Sequence, residues 1–199
     1  GNISSLSNTS VITVNHFGNI NLTLIMEGFY DASLNNMRLA DTVSIYLRNS
    51  DSPYLIADSS RVVINATTFT GSFNNVNAPS GNYYIAVKHR NTIETWSSSP
   101  VSYTSGGVVN YNFISAISQA YGSNMKQVDA SPVRFGIFSG DVNQDALVDL
   151  NDLLLVYNAA SSFSAGYIIT DLTGDYLADL NDLILTYNNS TGFVNVVDP

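Results

Sequence analysis

Two segments of the chain carry oxygen-bearing side chains at the same spacing. The first, DVNQDALVDLND, runs from Asp141 to Asp152, and the second, DLTGDYLADLND, runs from Asp171 to Asp182. A hard cation such as Ca²⁺ takes about 6–8 oxygen ligands, and a twelve-residue loop supplies them from positions 1, 3, 5, 7, 9 and 12. We therefore interpret the segments as two calcium loops, named here loop 1 (141–152) and loop 2 (171–182).

The predicted ligands occupy those six positions in each loop. In loop 1 they are Asp141, Asn143, Asp145, the Leu147 backbone carbonyl, Asp149 and Asp152. In loop 2 they are Asp171, Thr173, Asp175, the Leu177 carbonyl, Asp179 and Asp182. A hydroxyl is a poorer neutral ligand than an amide carbonyl, so Thr173 makes loop 2 the weaker of the two predicted Ca²⁺ sites.

The charge distribution supports this interpretation. The 59 residues from Asp141 onward contain nine Asp and no Glu, Lys or Arg, so they account for the whole net charge of −9. Eight of the nine Asp fall in the two loops. Such a concentration of like charge is unfavourable in a folded chain unless cations neutralise it.

The two loops belong to an internal duplication. Residues 141–163 match residues 171–193 at 12 of 23 positions. An apolar stripe with the i, i+3, i+4, i+7 spacing of a helix follows each loop and predicts one buried helix face per copy. The stripes are Leu150, Leu153, Leu154 and Tyr157, and Leu180, Leu183, Ile184 and Tyr187. Leu150 and Leu180 suit either a core or a binding surface related by a two-fold axis.

With these motifs, residues 139–193 resemble the dockerin-type repeat pair of secreted bacterial and archaeal proteins. The resemblance implies a calcium-stabilised loop-helix duplex that docks onto a cohesin-like partner. It also implies a left-handed backbone at loop position 6, where the family usually has Gly and this chain has Ala146 and Tyr176. Asp at position 12 is usual in that family and argues against an EF-hand sensor.

The preceding part of the chain predicts a β-sandwich. Segments such as DTVSIYLRN (41–49) and YYIAVKHRN (83–91) alternate apolar and polar residues, and turn signals separate about seven of them between residues 20 and 117. The predicted fold is therefore mainly β with a small α part: an antiparallel Ig-like or prealbumin-like β-sandwich, followed by a dockerin-like duplex of calcium loop-helix repeats.

We predict four segments: an N-terminal extension (1–19), the sandwich (20–117), a connector (118–138) and the calcium-binding repeats (139–199). The connector holds too much apolar material to be a flexible linker, so we expect it to pack. Thr9 to Phe17 reads as a strand. It is either an edge strand of its own sandwich or a strand donated to a neighbouring copy, which would propagate a filament.

Composition excludes several functions. There is no Cys and no apolar run near the ~20 residues that span a membrane. The net charge disfavours nucleic-acid binding. His16 and His89 lack a catalytic motif, and we expect Glu27 and Glu94 to face solvent on strands rather than to form a glycosidase pair.

A carbohydrate-binding module is an alternative interpretation of the sandwich. Tyr46, Tyr84 and Trp96 could form an outward aromatic platform for glycans, with three cations at its rim. Those cations are Arg48, Lys88 and Arg90.

Taken together, the sequence predicts a non-catalytic, extracellular or cell-surface protein that works by protein-protein association. The partner is either further copies of the chain or a cohesin-like scaffold. Calcium outside cells is millimolar, which suits sites of moderate affinity.

Overall fold

The computed structural model describes residues 17–199, which fold into twelve strands and two α-helices. The strands are β1 (Gly18–Thr23), β2 (Tyr30–Asp31), β3 (Asn36–Met37), β4 (Asp41–Asn49), β5 (Ile56–Ile64), β6 (Thr70–Val76), β7 (Gly81–Lys88), β8 (Thr95–Trp96), β9 (Val101–Tyr103), β10 (Val108–Asn112), β11 (Lys126–Ala130) and β12 (Val133–Gly136). The helices are α1 (Leu150–Ser161) and α2 (Leu180–Thr191). None of the helices between residues 17 and 199 is long and apolar enough to cross a bilayer.

Two sheets face each other across one core. The first has the order β10-β1-β6, and the second has the order β5-β4-β7, with β8 and β9 both pairing with the far edge of β7. Ile20 and Leu22 of the first sheet lie in the same buried cluster as Ile45 and Val87 of the second. The chain is thus mainly β, with two helices, and forms a sandwich as predicted.

The alternation of apolar and polar residues in β4 explains which face of this strand is buried. Val43, Ile45 and Leu47 are buried, whereas Ser44 and Tyr46 between them are half-buried on the other face. Successive strand residues point to opposite faces, so this pattern buries one face and leaves the other partly open. The predicted strand over residues 41–49 is confirmed.

Pairing direction differs from the antiparallel prediction at one place. β1 pairs with β6 in antiparallel orientation but with β10 in parallel orientation. Side-chain alternation is the same for both directions, so the sequence pattern could not distinguish them. The predicted donor or edge strand, Thr9 to Phe17, lies outside the described residues except for Phe17, and its pairing stays a prediction.

The connector (118–138) runs against the sandwich. Its β11-β12 hairpin is followed by Ile137, which is fully buried and bridges to Met26. Ser139 then bridges to Thr92. These contacts carry the chain directly from the sandwich into loop 1.

The C-terminal repeats close on each other with pseudo-two-fold symmetry. Leu147 of loop 1 bridges to Asn195 beyond α2, and Leu177 of loop 2 bridges to Ala165 beyond α1. Val142 and Leu172, at position 2 of the two loops, join Val156 in a small shared core. Each loop is therefore held by the segment that follows the other repeat's helix.

The predicted burial of the helix stripes is wrong. Leu150 is 74% exposed and Leu180 is 65% exposed. Four further stripe residues are also exposed, namely Leu154, Tyr157, Ile184 and Tyr187, whereas Leu153 and Leu183 are half-buried. The buried helix positions are Asp152 and Val156 in α1, and Asp182, Thr186 and Asn189 in α2. The helices turn this narrower stripe inward because their first-turn aspartates close the loops.

Candidate functional site

Loop 1 brings three of its predicted ligands together. One carboxylate oxygen from each of Asp141, Asp145 and Asp152 lies within 4.8 Å of the other two. Asp141 and Asp152 are buried, and Asp145 is exposed. Three converging carboxylates, two of them removed from water, form a donor set that suits a hard divalent cation.

Backbone amides hold the two buried carboxylates in place. Asp141 accepts hydrogen bonds from the N–H groups of Asp145 and Ala146. Asp152 accepts from Val142, Asn143 and Asp149. The last of these is half of a capping box at the start of α1, in which Asp149 is the N-cap. The aspartate at position 12 therefore joins loop closure to helix initiation.

Electrostatics in loop 1 disfavour ionisation without a cation. Burial, reinforced by the neighbouring charge of Asp152, raises the pKa of Asp141 to about 6. Burial also raises the pKa of Asp152 above its ordinary value. A bound divalent cation would reverse this effect, because it stabilises the charged carboxylates.

Loop 2 repeats these hydrogen bonds. Asp171 accepts from Gly174, Asp175 and Tyr176, and Asp182 accepts from Leu172, Thr173 and Asp179. Burial raises the pKa of both acids. The Thr173 hydroxyl oxygen is buried and accepts no hydrogen bond from the described residues. It is an oxygen available to a ligand.

The remaining predicted ligands lie at the loop surface. Asn143, Leu147, Asp175 and Leu177 are exposed in part or in full, and Asp179 is the N-cap of α2 as Asp149 is of α1. The predicted left-handed turn at position 6 is present in both loops. Its φ is 78° at Ala146 and 66° at Tyr176.

Sequence reasoning missed the polar interface that joins loop 2 to the sandwich. Asp41, buried at the start of β4, accepts hydrogen bonds from Tyr167 (2.6 Å) and Arg90 (3.2 Å), and it lies 3.0 Å from a ring nitrogen of His89. Burial raises the pKa of Asp41, but hydrogen bonds from His89, Tyr167 and the Thr42 backbone outweigh burial and hold that pKa well below its ordinary value. A partner so distant in sequence left no local signal.

Two further contacts complete that interface. The Asn91 side chain donates to the Asp171 carbonyl (2.9 Å), and Arg90 donates to the Ile168 carbonyl. Gly28 lies so close to loop 2 that a Cβ there would be 2.1 Å from the Leu172 carbonyl oxygen.

The expectation that Glu27 and Glu94 face solvent is wrong. Glu27 accepts a hydrogen bond from the Asn189 side chain of α2 (2.6 Å) and another from the Ser139 backbone (3.0 Å). Burial raises its pKa, and those donors partly offset the rise. Glu94 pairs with Arg48 at 3.3 Å. Both glutamates have structural partners.

The exposed helix stripes form one apolar groove of about 340 Å³ between α1 and α2. Its lining residues come from both repeats: Leu150, Leu153, Leu154, Tyr157, Leu183, Ile184 and Tyr187. We name this surface the interhelical groove. A contiguous apolar surface of this kind typically marks an interaction site.

The predicted aromatic platform for glycans is absent. Trp96 is 3% exposed and Tyr84 is 9% exposed, and they pack against each other at 5.8 Å between ring centroids. The Arg48 guanidinium covers the Trp96 ring at 4.8 Å. These rings form a small satellite core because they pair across strands.

Comparison with known proteins shows a similarity of fold. No protein-family profile and no curated protein sequence matches the chain. A solved chain from a C-terminal interface mutant of a type II cohesin-X-dockerin complex of Acetivibrio cellulolyticus matches with a TM-score of 0.54 and 12% identity. That match covers 87% of this chain and 95% of the other.

A second match comes from an N-terminal interface mutant of the same complex. It has a TM-score of 0.46 and 16% identity, and it covers 90% of this chain and 94% of the other. The first match shows a shared fold.

Proposed function

We propose that this chain is a calcium-stabilised module for protein-protein association, and that it binds a cohesin-like partner through the interhelical groove. The exposed groove carries the proposal. Five of its seven apolar side chains are exposed to solvent, and the other two, Leu153 and Leu183, are half-buried. Leaving such a surface exposed is unfavourable unless a partner covers it.

The fold match favours a cohesin-like partner. The matched chain comes from a complex between a cohesin and an X-dockerin, and the match covers 87% of this chain. Charge supports a partner with a cationic rim, because the residues around the groove belong to a segment with nine Asp and no Lys or Arg. We place the protein outside the cell or at its surface.

Calcium has a defined task in this proposal. Asp141, Asn143, Asp145, the Leu147 carbonyl, Asp149 and Asp152 would hold one ion in loop 1, and the equivalent six residues would hold another in loop 2. The bound ions would neutralise the buried carboxylates at the start of each helix. Since both helices begin at position 10 of a loop, calcium would fix the two walls of the groove.

A binding experiment with a matched helix control tests the groove. Purified cohesin modules, including that of the Acetivibrio complex, should bind the chain in calcium and dissociate in chelator. Leu150→Asp with Leu154→Asp should abolish binding. Leu155→Asp should preserve it, because Leu155 is on the same helix and exposed but does not line the groove.

Two outcomes contradict the proposal in different ways. In the first outcome, the wild-type chain binds itself and not a cohesin, and the groove variants no longer self-associate. The groove would then be a contact between copies of the chain. Cohesin binding that survives in the groove variants would move the interface elsewhere. Light scattering after size exclusion, beside the binding assay, distinguishes the two.

Self-assembly by strand donation stays a prediction from the sequence. A donated strand would pair at a free edge of the sheet. β1 has partners on both sides, so β6 and β10 are the edges of their sheet within residues 17–199. Negative-stain microscopy of the purified 199-residue chain should show polymers if Thr9 to Phe17 is donated, and monomers alone would contradict donation.

A further inference from the structure

Three of the seven cationic residues line one cavity between the sandwich and the C-terminal repeats. The cavity measures about 490 Å³, within the range of small-molecule sites. Its cations are Arg61, Lys88 and Arg90. In a chain of net charge −9, this clustering concentrates positive charge on one side of a molecule that is otherwise acidic.

Strand register places two of these cations beside one hydroxyl. Ser44 of β4 pairs with Arg61 of β5 on one side and with Lys88 of β7 on the other. Paired residues lie on the same face of a sheet, and neighbouring strands are about 4.8 Å apart, so the Arg61 and Lys88 backbones flank Ser44 at about 10 Å from each other. The opposite face of β4 is buried in the core, so this face is the open one.

The charges of Arg61 and Lys88 are free for a ligand. Neither forms an ion pair within residues 17–199, whereas Arg90 pairs with Asp41 and Asp171 and stacks on Tyr167. Three acids are near the cavity, and one of them, Asp171, faces the Arg90 guanidinium. Asp41 is already bonded to Arg90, His89 and Tyr167, and Asp141 of loop 1 attracts Lys88 weakly.

The other walls combine neutral polar groups with aromatic rings. Tyr46 and Tyr167 contribute rings, and Thr42, Ser44 and Gln144 contribute hydroxyl and amide groups. Cations recognise a carboxylate, hydroxyls and amides bond to sugar hydroxyls, and aromatic rings stack on the apolar faces of sugar rings. An acidic sugar has a carboxylate, hydroxyl groups and an apolar face on the same ring.

We propose that this cavity binds an acidic sugar residue, such as a uronic acid, whose carboxylate lies between Arg61 and Lys88. The cavity volume accommodates one or two sugar rings. An acidic peptide suits it less well, because successive acidic side chains would require a longer row of unpaired cations than this pair.

Calorimetry with digalacturonate tests the site, and galactobiose serves as its neutral counterpart. Wild-type protein should bind digalacturonate and not galactobiose. Arg61→Gln with Lys88→Gln should weaken binding by about tenfold or more, because charge-assisted hydrogen bonds dominate carboxylate recognition. Lys126→Gln with Arg134→Gln changes the net charge equally but lies outside the cavity, and it should leave the affinity unchanged.

Several results would overturn the assignment. In two of them, the wild-type protein does not bind digalacturonate in this titration, or it binds galactobiose with the same affinity. In a third, the two double variants lose the same amount of digalacturonate affinity. Tighter binding of a tetraglutamate peptide, lost in the Arg61→Gln and Lys88→Gln protein, would make this a peptide site. Circular dichroism checks folding, and single Lys88→Gln protein repeats the test if the double variant unfolds. The groove variants should bind digalacturonate normally, which keeps this test independent of the association proposal.

Discussion

Loop 1 and loop 2 share a twelve-residue pattern but differ in what surrounds them. Residues 171–174 of loop 2 are all buried, with the sandwich packed against them, whereas Asn143 of loop 1 is exposed and Gln144 is half-buried. Within residues 17–199, the three carboxylates of loop 1 converge within 4.8 Å, and the equivalent trio of loop 2 does not. Loop 2 therefore attaches the repeats to the sandwich, whereas loop 1 is the more solvent-accessible loop.

Arginines from the sandwich account for part of this difference. Arg38 lies 3.4 Å from Asp175, and Arg90 lies 3.8 Å from Asp171. No ion pair with Lys or Arg involves loop 1 within the described residues. Guanidinium groups form ion pairs with loop 2 and not with loop 1, and they compete with a metal for the loop 2 carboxylates, so loop 2 should bind calcium more weakly.

The largest expected effect is the loss of calcium binding at loop 1. Asp141→Ala removes a buried ligand, and we expect its calcium affinity to fall by roughly 100-fold, comparable to the loss of a key metal-site residue. Asp171→Ala should remove calcium binding at loop 2, which is the weaker of the two calcium-binding steps. Calorimetric titration of calcium into both variants measures this difference.

Arg38→Gln sharpens the same comparison. It removes a competing cation from Asp175 and should tighten the weaker step, whereas Arg61→Gln, which contacts neither loop, should not. Two equal calcium affinities in the wild-type protein would contradict the distinction between the loops.

The contact between loop 2 and the sandwich should lose stability when a larger side chain is introduced there. Gly28→Ala would place a Cβ 2.1 Å from the Leu172 carbonyl and 2.6 Å from a Leu185 methyl group. Backbone must move to relieve the first contact, so we expect a loss of about 3 kcal/mol in unfolding free energy. Urea unfolding followed by fluorescence provides the measurement.

Gly192→Ala is the control for that substitution. Its Cβ would be 3.4 Å from the nearest atom, an ordinary van der Waals distance, and the backbone there is right-handed. Its stability should stay near that of the wild type. A Gly28→Ala protein as stable as Gly192→Ala would mean that the sandwich and loop 2 are not held against each other.

The sequence was informative where the constraint is local. The β4 alternation and the two helices follow from residue spacing over a few residues. The sandwich follows from the same signals summed along the chain. The loop ligands were likewise predicted from spacing, and their metal stays a prediction. The left-handed positions Ala146 and Tyr176 followed instead from the resemblance to dockerin-type repeats, because Ala and Tyr are not turn residues themselves.

Contacts between residues distant in sequence could not be predicted in the same way. An apolar stripe such as Leu150 and Leu154 reports that a helix is amphipathic, but it does not report whether the stripe is covered by the chain itself or by a partner. Similarly, Tyr84 and Trp96 suit both a platform and a core. The partners of Glu27 lie more than a hundred positions away, and the side-chain partners of Asp41 lie 48 to 126 positions away.

Glu27 makes the stability of the α2 interface depend on pH. Its pKa is raised above the ordinary value of 4.5, so the folded chain binds the proton more tightly than the unfolded chain. The stabilising contribution is therefore full below about 4.5 and is lost as the pH rises through the folded pKa. Glu27→Gln should remove this dependence and stabilise the protein by about 1 kcal/mol at neutral pH.

Unfolding curves from pH 4 to pH 8 measure that effect. Asn189→Ala removes a donor to the Glu27 carboxylate and should steepen the loss of stability with rising pH. Asn188→Ala, at the exposed neighbouring position of α2, should follow the wild type. Parallel curves for wild type and Glu27→Gln would show that the carboxylate titrates as it does in the unfolded chain.

The smallest expected effect concerns the backbone that both loops share. Ala146 has a φ of 78°, where a Cβ is unfavourable by about 1 kcal/mol, and glycine adopts this conformation freely. Ala146→Gly should raise the unfolding free energy by about 0.5–1 kcal/mol, since strain relief exceeds the added flexibility of the unfolded chain. Ala160→Gly, inside α1, should lower it by a similar amount because glycine weakens a helix.

Tyr176→Gly makes the same backbone change in loop 2, where φ is 66°. Its ring is about half exposed, so the glycine variant loses some packing together with the strain. We therefore expect a smaller gain than at Ala146, measured as the shift in thermal midpoint at saturating calcium. A larger gain at Tyr176 would mean that loop 2 is the more strained copy. In that case its burial against the sandwich, rather than its arginines, would be the main cause of the difference between the loops.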